Sequence, residues 1–343
     1  MMDTAQAEAM KARILPALEE HPFEAPAWLR TKHRQSSWNA MHRRVAPLLE
    51  RHERWATPDR DFLDLYYSTG GAGAPWVLLL HGLEDHANTA YVLGMRHAIV
   101  DAGWNCVVME FRSCGSELNR ARRLYHMGET TDLAFVLKWL RPRLGKAPLF
   151  LLGFSLGANV AAKWLGEQGD TAAETVHGAA LVSAPYDPTI GAANIHKQLG
   201  GLYMKAFLAS LVPKAIAKEQ QFPGALDVDA VAAAKHFWDF DTHVTARLHG
   251  FDDADDYWRK VGCHQFVGGI RVPTLLLSAA DDPFNPAETL PVATAQASPW
   301  LYPVFPETGG HIGFICGESP AAARYWAEEQ ILRFFRLAAL EGA

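Results

Sequence analysis

The stretch PLFLLGFSLGANVAAKWLGE, residues 148–167, contains a complete strand–turn–helix unit. Residues 148–152 are a short apolar run of the kind buried on both faces of a parallel sheet. Residues 156–167 read as a helix. Between them Gly153, Phe154, Ser155, Leu156 and Gly157 spell G-x-S-x-G, which in this setting is a nucleophile elbow. Its tight, strained turn lifts a serine hydroxyl above the sheet edge, and small residues flank the serine because neighbouring elements press against the turn. The hydroxyl then sits at a helix N-terminus, where free N–H groups and the helix dipole favour developing negative charge.

The same rhythm extends outward. Upstream, residues 62–67, 76–80 and 104–111 read as strands, and 88–100 and 127–140 as helices. Downstream come a strand at 178–182, a strand at 273–278, a helix after Pro286, a strand at 301–305 and a final helix over 320–340. Apolar strands alternating with helices predict an α/β fold, a mostly parallel doubly wound sheet with helices on both faces. Residues 185–268 break the rhythm with helix-like stretches at 205–218, 229–240 and 253–260. An insertion there stands over the crevice where such sheets bind ligands, so it reads as a helical lid. The core is then 61–184 and 269–343, and residues 1–60 form an N-terminal arm with a helix over 5–18. Arg30, Lys32, Arg34, Arg43, Arg44, Arg51 and Arg54 make that arm basic. It is expected to pack on the core through Trp28, Trp38 and Trp55, with peripheral contact to anionic lipid as the alternative.

Composition narrows the function. The 343 residues are 49% hydrophobic and 20% charged, which excludes a disordered chain, and the net charge of −6 gives no general attraction to nucleic acid. Cys106, Cys114, Cys263 and Cys316 form no C-x-x-C pair and are expected to be free thiols. The first twenty residues have neither signal- nor transit-peptide character, and there is no uninterrupted apolar run of about 18 residues. A cytoplasmic protein is expected. Composition does not indicate the oligomeric state.

A serine hydroxyl needs a base, and the base needs an orienting carboxylate. In this kind of elbow the chain order is Ser, Asp or Glu, then His. Asp281 and Asp282 follow the strand at 273–278, and His311 follows the strand at 301–305 between Gly310 and Ile312. Asp282, just before the turn of residues 283–286, is the better placed of the pair, leaving Asp281 solvated or capping the turn. Oxyanion donors are expected from the backbone N–H of Leu156 and from that of Leu83, after His81 and Gly82. His81 is a candidate substrate contact; Arg120, Arg122 and Arg123, which leave the functional edge of the sheet, either hold a phosphate or carboxylate of the substrate or pair with Glu129, Asp132 or backbone carbonyls to fix their loop. In the lid, Trp238 and Phe240 join Phe207, Tyr257 and Trp258 as an acyl pocket or as plain lid core. His243, His249 and His264 read as polar lid surface. No residues have metal-ligand spacing: residues 81–86, HGLEDH, lack the middle histidine of a dinuclear site, so no metal is expected.

With those residues placed, the chain resembles the YheT-like, abhydrolase-domain (EMB-type) branch of the α/β-hydrolases. The resemblance is carried by HGLE (81–84), FRSCGS (111–116), NRARRLYHMGET (119–130), GFSLGAN (153–159), TARLHGF (245–251), DDPF (281–284) and GGHIGF (309–314). It implies Ser155 as nucleophile, Asp282 as its acid partner and His311 as base, acting on carboxylic or glycerolipid esters without a cofactor. Ala158, Ser113, Asp85 and His86 depart from the pattern and leave acyl-chain preference open. Acyl transfer to an alcohol by the same residues, and a non-catalytic binding module, are the alternative readings.

Overall fold

In the computed structural model, which describes residues 2–341, the apolar runs pair into one eight-stranded sheet. Its strands are β1 (Arg51–Ala56), β2 (Phe62–Ser68), β3 (Trp76–Leu80), β4 (Asn105–Met109), β5 (Leu149–Phe154), β6 (Gly178–Val182), β7 (Thr274–Leu277) and β8 (Leu301–Val304), in the order β1-β2-β4-β3-β5-β6-β7-β8. β2 runs antiparallel to both its neighbours, β1 and β4, and all the other pairs are parallel. Alternate residues of one strand feed two cores, as doubly wound sheets require. Leu78, Leu80, Leu149 and Leu151 face one layer of helices, and Val77, Leu79, Phe150 and Leu152 face the other. The chain places β4 on one side of β3 and β5 on the other. The crevice at that switch lies above the ends of β3 and β5, where the elbow emerges.

The structure differs from the sequence reading where polar residues do structural work. Arg51–Ala56 is polar and mostly exposed, yet it pairs with β2 along its whole length, so the sheet begins ten residues before the expected core boundary. The fourth α-helix begins at Thr131, not Met127, because the Glu129 carboxylate caps it by accepting the Thr131 N–H at 2.8 Å. In the arm, α1 (Thr4–Glu19) packs on the C-terminal helix Trp326–Glu341, and α2 (Lys32–Met41) lies against the loop after β8. Three of the seven arm cations are held in ion pairs: Arg43 with Glu328 at 2.5 Å, Arg51 with Glu53 at 3.2 Å, and Arg54 with Asp64 at 2.8 Å.

Residues 185–268, between β6 and β7, are helical throughout their longer elements. One part of this insertion, 188–221, has the length and mean hydropathy (1.2) that crossing a bilayer requires, although it contains no uninterrupted apolar run. It folds over the sheet as two helices, Pro188–Lys197 and Leu202–Gln221, because Leu199 and Gly200 adopt left-handed conformations and turn the chain between them. Asn159, fully buried, ties the insertion to the core. Its side-chain amide donates to the Met127 and Val261 carbonyls and its oxygen accepts the Cys263 N–H.

Candidate active site

The elbow glycines follow from close backbone approach. A Cβ on Gly157 would lie 2.5 Å from the His81 carbonyl oxygen, and one on Gly153 would lie 2.5 Å from that of Gly157. Ser155 itself takes φ 49° and ψ −117°, a conformation costing about 1–3 kcal/mol that surrounding contacts must hold. The Ser155 N–H donates to the Val182 carbonyl at 2.8 Å, which contributes to that hold.

Three side chains from separate strand ends then meet. The Ser155 hydroxyl lies 2.9 Å from His311 Nε2, and His311 Nδ1 donates to Asp282 Oδ2 at 2.8 Å. A carboxylate at Nδ1 keeps the proton there and leaves Nε2 free to accept from the serine. The other Asp282 oxygen accepts the N–H groups of Phe284 (2.7 Å) and Asn285 (3.2 Å), so the turn of residues 283–286 fixes the carboxylate plane. Asp281 does not reach the imidazole. Its Oδ1 accepts the Gly310 N–H at 2.8 Å, and burial pushes its carboxyl up from the usual range.

Leu156 is the first residue of its helix, where the N–H has no intrahelical acceptor, and the Leu83 N–H makes no backbone hydrogen bond in its loop. The Leu83 loop lies close to the serine, since a Cβ on Gly82 would be 3.5 Å from that of Ser155. Two N–H donors so placed beside a serine hydroxyl are the arrangement that binding an oxyanion requires.

Of the candidate substrate contacts, Phe240 lines the cavity above Ser155, with Phe207, Tyr257 and Trp258. The others are elsewhere. His81 is fully buried away from the cavity, donating from Nδ1 to the Gly82 carbonyl (2.8 Å) and accepting the Phe111 N–H at Nε2 (3.1 Å). Burial pushes its imidazole down to about 3, so it is a neutral link between two loops. Arg123 is held by Asp59, Glu129 and Asp132. Arg120 is exposed beside Glu117, 3.7 Å away. Trp238 is on the surface of the insertion, its indole N–H donating to Asp255 at 3.0 Å. His249, expected on the surface, instead lines the cavity, its ring centroid 4.3 Å from that of His126, and burial lowers it to about 4. All four cysteines are free, and burial raises the Cys114 thiol to about 12, far from a reactive thiolate.

The cavity wall also carries Asp241, whose carboxyl is buried and raised to about 6 although Thr245 and Trp258 donate hydrogen bonds to it. A carboxyl raised on folding stabilises fully below its unfolded value of 3.8, and that stability is lost as pH rises toward about 6. Asn mimics the neutral acid. The Tm of Asp241→Asn is therefore expected to gain on wild type by several degrees between pH 4 and pH 6. Thermal unfolding at those two values checks this, and a constant difference would contradict it.

Residues 75–318 match the family model described as alpha/beta hydrolase fold. The chain is 34% identical over 304 residues to "Putative esterase YheT" of Escherichia coli (strain K12), covering 87% of this chain and 88% of that one. It is 28% identical over 260 residues to "Phospholipase ABHD3" of Mus musculus (76% of this chain, 63% of the relative). It is 27% identical over 271 residues to "Monoacylglycerol lipase" of Saccharomyces cerevisiae (77% and 59%). Among solved structures, the Pyrococcus furiosus esterase Pf2001 superposes with a TM-score of 0.57 at 15% identity, covering 86% of this chain and 96% of that one, a likeness of fold.

Proposed function

We propose, on the premise that this chain belongs to the α/β-hydrolase fold family in its YheT branch, that it hydrolyses carboxylic esters through an acyl-enzyme on Ser155. The esterase-, phospholipase- and lipase-named relatives support an ester hydrolase. The observation that carries the mechanism is the hydrogen-bonded series Asp282–His311–Ser155 at the floor of a largely apolar cavity. Ser155 Oγ attacks the ester carbonyl while His311 Nε2 takes its proton, and Asp282 stabilises the imidazolium. The Leu83 and Leu156 N–H groups hold the oxyanion, each such donor being worth about 3 kcal/mol of barrier. Collapse expels the alcohol, which takes the proton from Nε2. Water then attacks the acyl-enzyme by the same route and releases the acid.

The cavity supports an apolar acyl group as the substrate's buried part. Leu124, Ile195, Leu211 and Val244 line it with the aromatic residues of the insertion, which we read as a lid. Short- and medium-chain acyl esters and glycerolipid esters share that chemistry. A fluorophosphonate probe is expected to label wild type and not Ser155→Ala; labelling that survives the substitution would remove Ser155 from this role. A series of p-nitrophenyl esters of graded length, run beside mono- and diacyl glycerolipids, then reads the acyl preference.

A further inference from the structure

The loop bearing His311 adopts an unusual backbone. Gly309, Gly310, Ile312 and Phe314 all have positive φ (150°, 62°, 55° and 52°), and for the branched Ile312 and the bulky Phe314 such a conformation is an outlier. Strained loops of this kind persist only where neighbours over-determine them. Most of the side chains that hold this one come from a single helix some 275 residues earlier in the chain. The His311 N–H donates to Ser36 Oγ at 2.8 Å. Asn39 Nδ2 donates to the Ile312 carbonyl at 3.1 Å. Gln35, fully buried, accepts the Ile315 N–H at 2.8 Å and donates to the Ile315 carbonyl at 2.9 Å. The Ser36 hydroxyl donates to the Lys32 carbonyl at 2.7 Å, which turns its lone pairs toward His311. Gly310 lies so close that a Cβ there would be 2.5 Å from the Lys32 carbonyl oxygen.

We infer that α2 is a positioning element for the reaction: Gln35, Ser36 and Asn39 hold the His311 loop so that one imidazole nitrogen meets Asp282 and the other meets Ser155. This deepens the reading of His311 as the base and rests on it. The three residues share one helix face, at i, i+1 and i+4. Apart from those polar contacts, α2 is attached by Trp38, which packs with Leu29 and Ile315, by its packing on the helix Ala90–Asp101, and, two residues past its end, by the Arg43–Glu328 pair. Losing one polar contact therefore loosens the imidazole without detaching α2. Ser183 and Asp281 hold the loop from the sheet side, through Ile312 N–H and Gly310 N–H. That anchorage leaves the loop in place but its histidine less well aligned.

The test uses the full chain with Ser36→Ala, Asn39→Ala and, as control on the same helix, Ser37→Ala. Misalignment of about an ångström at a reacting group costs up to about a hundred-fold in rate. Ser36→Ala and Asn39→Ala are expected to lower kcat about ten-fold or more with KM nearly unchanged, at retained cooperative unfolding. Each should also broaden or shift the downfield proton NMR signal of the His311–Asp282 hydrogen bond. Ser37→Ala should change neither. Unchanged kcat and an unchanged signal in both variants would overturn the inference, as would a loss of kcat that only tracks a loss of folded protein. If wild type turns over no ester, the hydrolase reading has failed, and the imidazole signal alone decides the positioning role.

Discussion

Asp282→Asn is expected to fold like wild type and to lose about 10⁴-fold in kcat, with a much smaller change in KM. The amide keeps an oxygen for the Phe284 and Asn285 N–H groups, so the turn survives. What changes is the group facing His311 Nδ1. An NH₂ there requires Nδ1 to accept, which moves the imidazole proton to Nε2 and leaves nothing to take the serine's proton. The negative charge that would stabilise the imidazolium is lost as well. Asp281→Asn is the matched comparison. Its oxygen still accepts the Gly310 N–H, so it should lose less than about ten-fold. Steady-state kinetics on a p-nitrophenyl ester decides between them; full activity in Asp282→Asn would move the orienting role elsewhere.

The second large effect is on stability. All five Arg112 donors are used within a buried cluster. Nε and Nη2 donate to Asp132 at 2.7 Å each, Nη1 to Asp61 at 2.6 Å, and Nη1 and Nη2 to Asp59 at 3.0 and 3.2 Å. Asp61 in turn accepts from Asn119 and from the Arg120 and Ala121 N–H groups, fixing the loop that carries Tyr125, His126 and Met127 to the cavity. Arg112→Ala strands buried carboxylates and is expected to cost about 3–5 kcal/mol, a large share of a typical domain's stability. Arg112→Lys should recover little, because an ammonium offers three donors from one point. Against the opposing effect of burial, hydrogen bonds from Thr57, Arg112 and Arg123 hold the Asp59 carboxyl below its usual range, and those from Asn119 and the Arg120, Ala121 and Phe62 N–H groups do the same for Asp61. Groups lowered on folding stabilise above their unfolded values and lose that contribution as pH falls. Asp59 and Asp61, which pair with Arg112, lose theirs as pH falls below the unfolded value of 3.8. Denaturant melts at neutral pH and below that value should show the penalty of Arg112→Ala shrinking with acid.

The elements legible in the sequence are those whose signal is local. Each of Ser155, Asp282 and His311 follows an apolar run, so the strand ends that bring them together could be found without knowing how the strands pair. What stays hidden depends on partners far along the chain. RHERWA at Arg51–Ala56 has the exposure of an edge strand and shows no apolar alternation. The polar face of α2 reads as solvated until the His311 loop lies beside it. His81, Arg120 and Arg123 occupy the functional edge in sequence terms, but a neighbouring backbone or carboxylate takes up the polar atoms of His81 and Arg123, and Arg120 points outward. Position along a strand thus locates the crevice, whereas which polar group faces substrate depends on tertiary contacts.

The grip of α2 on the His311 loop also bears on when this protein becomes competent. During synthesis, at about 5–20 residues per second, residues 35–39 emerge many seconds before residues 309–316. Until then the elbow serine has no base and the helix that will seat that base has nothing to hold. Chemistry then begins only when the distant segments close on each other, a step that long sequence separation makes slow.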